Sequence, residues 1–88
     1  MVTGVQIRAA RSALQWSADT LAMHAGVASK TVRRLEGEHG VPKTTTATLT
    51  KIQTALEAAG IEFIGVPDDG PGIRVHPAGY AQRSSLAF

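Results

Sequence analysis

Residues 17–37, SADTLAMHAGVASKTVRRLEG, predict two short helices separated by a glycine. Ser17 is a residue type that favours helix N-caps, and Gly26 can adopt the left-handed backbone conformation that ends a helix. The second helix is predicted over residues 29–36. Small and aliphatic residues recur on one side of it at helical spacing, which indicates a buried face: Ala28, Val32 and Leu35.

The opposite side of this second helix is cationic and contains no acidic residue. It carries Ser29, Lys30, Arg33 and Arg34. A charged helix face can simply be solvated, but the charge of the whole chain is also uneven. Residues 1–56 hold seven Lys and Arg against three Asp and Glu, whereas residues 57–88 hold two against four. The basic half coincides with the predicted helices, which favours a polyanionic partner.

Four short segments stand at a fixed spacing along these two helices: Leu21-Ala22, Ala25-Gly26-Val27, Thr31-Val32 and Arg34-Leu35-Glu36-Gly37. This series resembles the phage-repressor-like (Cro/repressor, or xenobiotic-response-element) helix-turn-helix family of DNA-binding regulators, and the resemblance extends from about Val5 to Ile64. It implies a mainly α fold, a compact lambda-repressor-like domain of four to five helices with a C-terminal β-hairpin or dimerising strands.

One position departs from the family pattern. Ala28 stands where members usually place Ser or Thr as the cap of the recognition helix, and the loss of such a cap typically costs about 0.5–2 kcal/mol. Either Ser29 caps this helix instead, or the helix begins without a side-chain cap.

The resemblance implies a transcriptional regulator that binds a palindromic DNA operator as a homodimer, with the helix over 29–36 in the major groove. Base contacts are expected from Ser29, Lys30, Arg33 and Arg34. We favour Lys30 and Arg34, because their side chains can donate to guanine O6 and N7, whereas Arg33 suits either base or phosphate. Phosphate contacts are expected from Ser17, Thr31, Lys43, Thr44 and Thr45.

Thr3 and Gln6 form a T-x-x-Q capping box that predicts a first helix over residues 3–15. Arg11 lies on the inward stripe of this helix, where a guanidinium needs a partner. The resemblance implies that Glu36, at the end of the recognition helix, supplies it. We therefore interpret Arg11 as structural rather than as a DNA contact.

A fourth helix is predicted from an N-cap at Thr44 or Thr45 to Gly60. Beyond it, residues 61–64 and 73–76 are β-prone runs separated by a PDDGPG turn cluster, which predicts a hairpin. Two strands alone are marginally stable, so they must pack on the helices or pair with a second subunit. For pairing between subunits, which the resemblance implies, the candidate residues are Ile61, Phe63, Ile64, Ile73 and Val75.

We therefore expect a helical DNA-binding domain over residues 1–60, a hairpin extension for dimerisation over residues 61–76 and a tail over residues 77–88. The sequence of the tail predicts no particular structure: the tail either covers apolar residues on the surface of the domain or is disordered. At 88 residues, 43% of them hydrophobic, the chain can bury one core.

Enzymatic and metal-binding classes find no support in the sequence. The chain has no cysteine, and its three histidines lack metal-ligand spacing: His24, His39 and His76. We expect no catalytic residues, no metal and no cofactor. Since no signal-like or membrane-length apolar run is seen, the expected location is the cytoplasm, without a membrane partner.

A protein-binding role is the alternative. Small proteins with this helical core also act as antitoxins or antiactivators, and in that case the hairpin and tail would bind a protein partner.

Overall fold

The computed structural model describes residues 2–38 and 40–76. Within them, four helices precede a two-stranded antiparallel hairpin: α1 Gly4–Ala13, α2 Ala18–Ala25, α3 Ser29–Glu36, α4 Thr46–Ala58, β1 Ile61–Val66 and β2 Asp69–Val75. The prediction of a mainly α chain that ends in a hairpin is confirmed. The predicted tail over 77–88 and His39 lie outside the described residues. In the part that is described, no helix combines the length and the apolar character that a membrane crossing requires.

Gln6 connects the start of α1 to the hairpin. The Gln6 backbone N–H donates to Thr3 Oγ1 at 3.1 Å, while Gln6 Oε1 accepts from the Thr3 N–H at 2.8 Å, so the predicted capping box is present. Gln6 Nε2 also donates to Ile64 O at 3.2 Å and to Gly72 O at 2.8 Å, one carbonyl from each strand. Because Gln6 is only 4% exposed, these bonds satisfy polar groups that water reaches poorly.

One apolar core joins the helices and the hairpin. Its fully buried members come from all four helices and from β1: Ile7, Leu21, Val32, Leu35, Ile52, Leu56 and Ile61. The burial of Ile61 corrects the expectation that it lies at a subunit interface. Phe63 alternates onto the same face of the sheet, pairs with Ile73 across the strands and packs with it against the core.

The turn of the hairpin is shorter than the sequence predicted. It comprises only Pro67 and Asp68. β1 continues to Val66, two residues beyond its predicted end, and β2 begins at Asp69, inside the stretch that was assigned to the turn cluster. A register shift between Ile64 and Val66 makes this possible, with Gly65 between them at φ 75°. A Cβ on Gly65 would overlap the Gly70 carbonyl oxygen, so this irregularity requires glycine.

We expect Gln6→Ala to lower the free energy of unfolding by at least about 2 kcal/mol, because it leaves buried backbone groups without partners. Gln6→Glu keeps an acceptor for the Thr3 N–H but loses the donor to both strands, so most of the loss should remain. Urea unfolding followed by circular dichroism measures both changes.

Gln53→Ala is the control, since the one hydrogen bond of the Gln53 side chain within residues 2–38 and 40–76 goes to Glu57, on an exposed part of α4. Its expected effect is within about 0.5 kcal/mol. A Gln6→Glu variant as stable as the parent would show that the two bonds to the strands do not stabilise the fold.

Candidate nucleic-acid interface

Three residues, 26–28, connect α2 to α3. Gly26 has φ 72°, in the left-handed region, and its N–H donates to Ala22 O at 2.9 Å, which ends α2. Ala22 and Ala25 are buried, and such small side chains let two helices approach closely. The two helices are therefore held in a fixed relation by a tight turn and a shared core.

The two sides of α3 differ as the sequence predicted, except at Ala28. Val32 and Leu35 are fully buried, whereas Lys30, Arg33 and Arg34 are exposed. Ala28 was expected on the buried face but is exposed, because it precedes the first turn of the helix. Ser29 and Thr31 are half-buried at its start. The α3 N-cap is Ala28, which makes no side-chain capping bond. Of the two alternatives for this position, the structure shows the uncapped one, so the Ser29 hydroxyl is not used as a cap.

Arg11 fastens the end of α3 to α1. Its Nε donates to Glu36 Oε2 at 2.7 Å and its Nη2 to Glu36 Oε1 at 2.9 Å, a bidentate pair. The remaining Nη1 donates to the Trp16 carbonyl at 2.9 Å, in the turn before α2. The bonds to Glu36 raise the pKa of Arg11, so the guanidinium stays charged. The pair that the resemblance implied is therefore present, and it links α1, the following turn and α3.

Gly4 provides a second attachment between α1 and the end of α3. A Cβ at this position would overlap the carbonyl oxygens of Leu35 and Glu38, so only glycine allows so close an approach. The Gly4 N–H also donates to Gly40 O at 3.1 Å. The start of α1 and the chain that follows α3 are thereby packed backbone against backbone.

The cations of α3 have different surroundings. Lys30 has no hydrogen-bond or ion-pair partner among residues 2–38 and 40–76. Arg34 Nη1 donates to the Lys43 carbonyl at 3.2 Å, and Arg33 Nη2 lies 3.0 Å from Asp19 Oδ1. Both of these contacts are exposed to solvent. All three side chains are thus accessible from outside, and two of them are held by their neighbours.

Asp19 was not recognised as part of this surface from the sequence. It belongs to α2, yet a hydrogen bond from Ser29 and the charge of Arg33 lower the pKa of its carboxyl. Nothing in the spacing along the chain links Asp19 to α3, because the link depends on how the two helices pack. The cationic side of α3, which lacks an acid of its own, therefore has one beside it.

Four of the five residues expected to contact phosphate lie at the starts of α2 and α4, and the fifth, Thr31, is half-buried in the first turn of α3. Ser17 Oγ accepts from the Thr20 N–H at 3.0 Å, and Thr45 Oγ1 accepts from the Thr48 N–H at 3.2 Å, so both cap their helices. Thr45 rather than Thr44 is the cap of α4. The Lys43 side chain has no partner in the described parts of the chain, while its backbone N–H donates to Glu38 Oε2 at 3.0 Å.

A basic cleft of about 300 Å³ lies between α1 and α3. It is lined by Arg8, Arg11, Arg33, Glu36 and Gly37. No role was predicted for Arg8, which is exposed and has no ion-pair partner within the described residues. Its position one helical turn before Arg11, on a helix that packs against α3, is the signal that could have pointed to it.

The described residues contain no group of three or more His, Cys, Asp or Glu side chains that could hold a metal ion. Comparison of the chain with models of known protein families gives no match, and a search among curated proteins finds no relative.

A double-mutant cycle tests the attachment of α3 to α1. We expect Arg11→Met and Glu36→Gln each to lower the free energy of unfolding by about 1–3 kcal/mol, because each leaves a charged or polar group without its partner. The double variant should lose clearly less than the two single losses added together, with a coupling free energy of at least about 1 kcal/mol. Chemical denaturation of the four proteins gives these values.

The pair Asp19 and Arg33 is the matched control, because its side chains are 69% and 61% exposed, against 9% for Glu36. Its coupling free energy should stay below about 1 kcal/mol. Strictly additive losses for Arg11 and Glu36 would contradict the proposed attachment.

Proposed function

We propose that this protein is a transcriptional regulator that binds a palindromic DNA operator as a homodimer through a helix-turn-helix unit formed by α2 and α3. The observation that carries this proposal is the two-sided character of α3: Val32 and Leu35 anchor it in the core, while Lys30, Arg33 and Arg34 remain exposed. The tight turn after α2 and the ion pair between Arg11 and Glu36 support a lambda-repressor-like fold.

In this proposal α3 enters the major groove and reads base edges. Lys30 and Arg34 donate to guanine O6 and N7, while Ser29 and Arg33 reach neighbouring bases. Arg34 must give up its bond to the Lys43 carbonyl, which is long at 3.2 Å and exposed, so a base can replace this acceptor at small cost. Lys30 needs no such exchange.

Contacts to the DNA backbone orient α3 without reading sequence. Ser17 and Thr45 stand at the starts of α2 and α4, where free backbone amides and the helix dipole favour a phosphate. Thr31, Lys43 and Thr44 extend this set, and we add Arg8 because it is an unpaired cation beside α3.

A homodimer would place two copies of α3 in successive major grooves, about 34–36 Å apart. The hairpin offers apolar side chains for such a contact: Val66 and Val75 are 56% and 54% exposed. Ile64, Phe63 and Ile73 are partly buried and could contribute their remaining surface, whereas Ile61 is used in the core. We place this regulator in the cytoplasm, where an operator that overlaps a promoter would make it a repressor.

Selection of bound sites from a random DNA pool with the full chain tests the proposal. We expect an enriched palindrome whose half-site centres are separated by about 10–10.5 base pairs, since two subunits then bind the same side of the duplex. A pool without an enriched sequence would contradict sequence-specific binding and favour the alternative, a protein that acts by binding another protein.

Two variants separate base reading from backbone binding. We expect Arg34→Ala to reduce discrimination at one base pair in each half-site by about 1–3 kcal/mol while leaving binding to random DNA less affected. Lys43→Ala should weaken binding to the operator and to random DNA by the same factor. It should also lower the number of ions released on binding, measured as the salt dependence of the binding constant, by about one per subunit. Fluorescence anisotropy titrations at several salt concentrations measure both effects.

Lys43→Ala keeps the backbone carbonyl that Arg34 contacts, so the two variants act independently. If Arg34→Ala weakened binding to the operator and to random DNA by the same factor, Arg34 would contact the DNA backbone. Its assignment to base reading would then be wrong.

A further inference from the structure

The carboxylate of Asp19 lies at the surface through which DNA would have to approach. It is 69% exposed, and its Oδ1 lies 3.0 Å from Arg33 Nη2. The two other acids near α3 are occupied elsewhere, since Glu36 binds Arg11 and Glu38 Oε2 accepts from the Lys43 N–H. An exposed carboxylate in this position repels phosphates and weakens binding to any DNA. Its presence on a surface that must bind a polyanion therefore needs a physical reason.

Asp19 contacts one of the four side chains that we assign to base contacts. It accepts from Arg33 on the second turn of α3 at 3.0 Å. Arginine has five N–H donors in a planar fork, and the contact with Asp19 uses one of them. The rest stay available to base acceptors. An arginine that is fixed in advance also loses less side-chain freedom when it binds a base.

The charge of the pair matters as much as its geometry. A free arginine beside a DNA duplex is drawn to the nearest phosphate, because the phosphates carry the negative charge. Beside Asp19, part of the charge of Arg33 is balanced, so its attraction to phosphate is weakened. Hydrogen bonds to base acceptors, which require direction rather than net charge, are retained.

We propose that Asp19 is a specificity-determining positioning residue, which holds Arg33 toward base edges and prevents it from binding phosphate. This inference rests on the proposed function and resolves the two alternatives for Arg33 in favour of base contact. Asp19 reduces the affinity for random DNA and increases the preference for the operator, so it acts on the ratio of the two affinities.

The test is Asp19→Asn, which keeps the size of the side chain and an acceptor oxygen but removes the charge. Dissociation constants are measured for the selected operator and for a random duplex of equal length, from low to physiological salt. We expect random DNA to bind several-fold more tightly, with a steeper salt dependence, while the operator gains little or binds more weakly. The ratio of the two affinities should fall by about fivefold or more, within the range set by one base contact.

Glu57→Gln is the matched control, because it removes one exposed acidic charge from α4 without changing the surface of α3. It should change both affinities by the same small factor. Arg33→Ala is expected to reduce the sequence preference at one base pair of each half-site in the parent protein. The same substitution should have a smaller effect in the Asp19→Asn background. Urea unfolding of each variant verifies that the fold is intact.

An affinity ratio that is unchanged or higher in Asp19→Asn would overturn the proposal, since Asp19 would then act only as a repulsive charge. This outcome is distinct from failure of the proposed function, which would already appear as the absence of a selected operator with the parent protein.

Discussion

The ion pair between Arg11 and Glu36 is the interaction on which the position of α3 depends. Three donors of one guanidinium reach both carboxylate oxygens of Glu36 and the Trp16 carbonyl. The bidentate geometry fixes direction as well as distance, so α3 cannot rotate about its own axis without breaking it. Lys30 and Arg34 project away from Glu36, and Arg33 borders the same cleft as the ion pair, so this pair determines how the cationic side of α3 is presented.

Two other polar side chains also form hydrogen bonds or ion pairs that join more than one element. Gln6 completes the cap of α1 and donates to both strands of the hairpin, while Asp19 lies in the first turn of α2 and contacts Arg33 of α3. In a chain of 88 residues the apolar core is small, and polar contacts of this kind supply specificity that a small core provides poorly. The surface proposed for DNA is therefore built from helices whose mutual orientation is set by a few directed bonds.

Local patterns explain which parts of this structure could be predicted from the sequence. The period of Val32 and Leu35, the glycine at Gly26 and the capping box at Thr3 are encoded within a few neighbouring residues, so the helices and their buried sides were predictable. The partner of Arg11 could not be worked out from spacing and came from the resemblance, because Glu36 lies 25 residues further along the chain.

Features that depend on packing between elements were not predictable. The apolar character of Ile61 indicated a buried face but not whether helices of the same chain or a second subunit would cover it. The strands exceeded their predicted length because Gly65 permits an irregular register, which a turn-rich composition conceals. Asp19 was missed for the same reason: its contact with Arg33 arises only when α2 and α3 are placed side by side.

The central claim is that the cationic side of α3 reads base edges while its aliphatic side remains in the core. A crystal structure of the full chain bound to its selected duplex tests this claim most directly. The account predicts α3 in the major groove, with the Lys30 or Arg34 side chain within hydrogen-bond distance of a guanine and with Val32 and Leu35 still buried. A complex in which α3 faces solvent, and the duplex contacts the hairpin or the outer side of α4 instead, would contradict it.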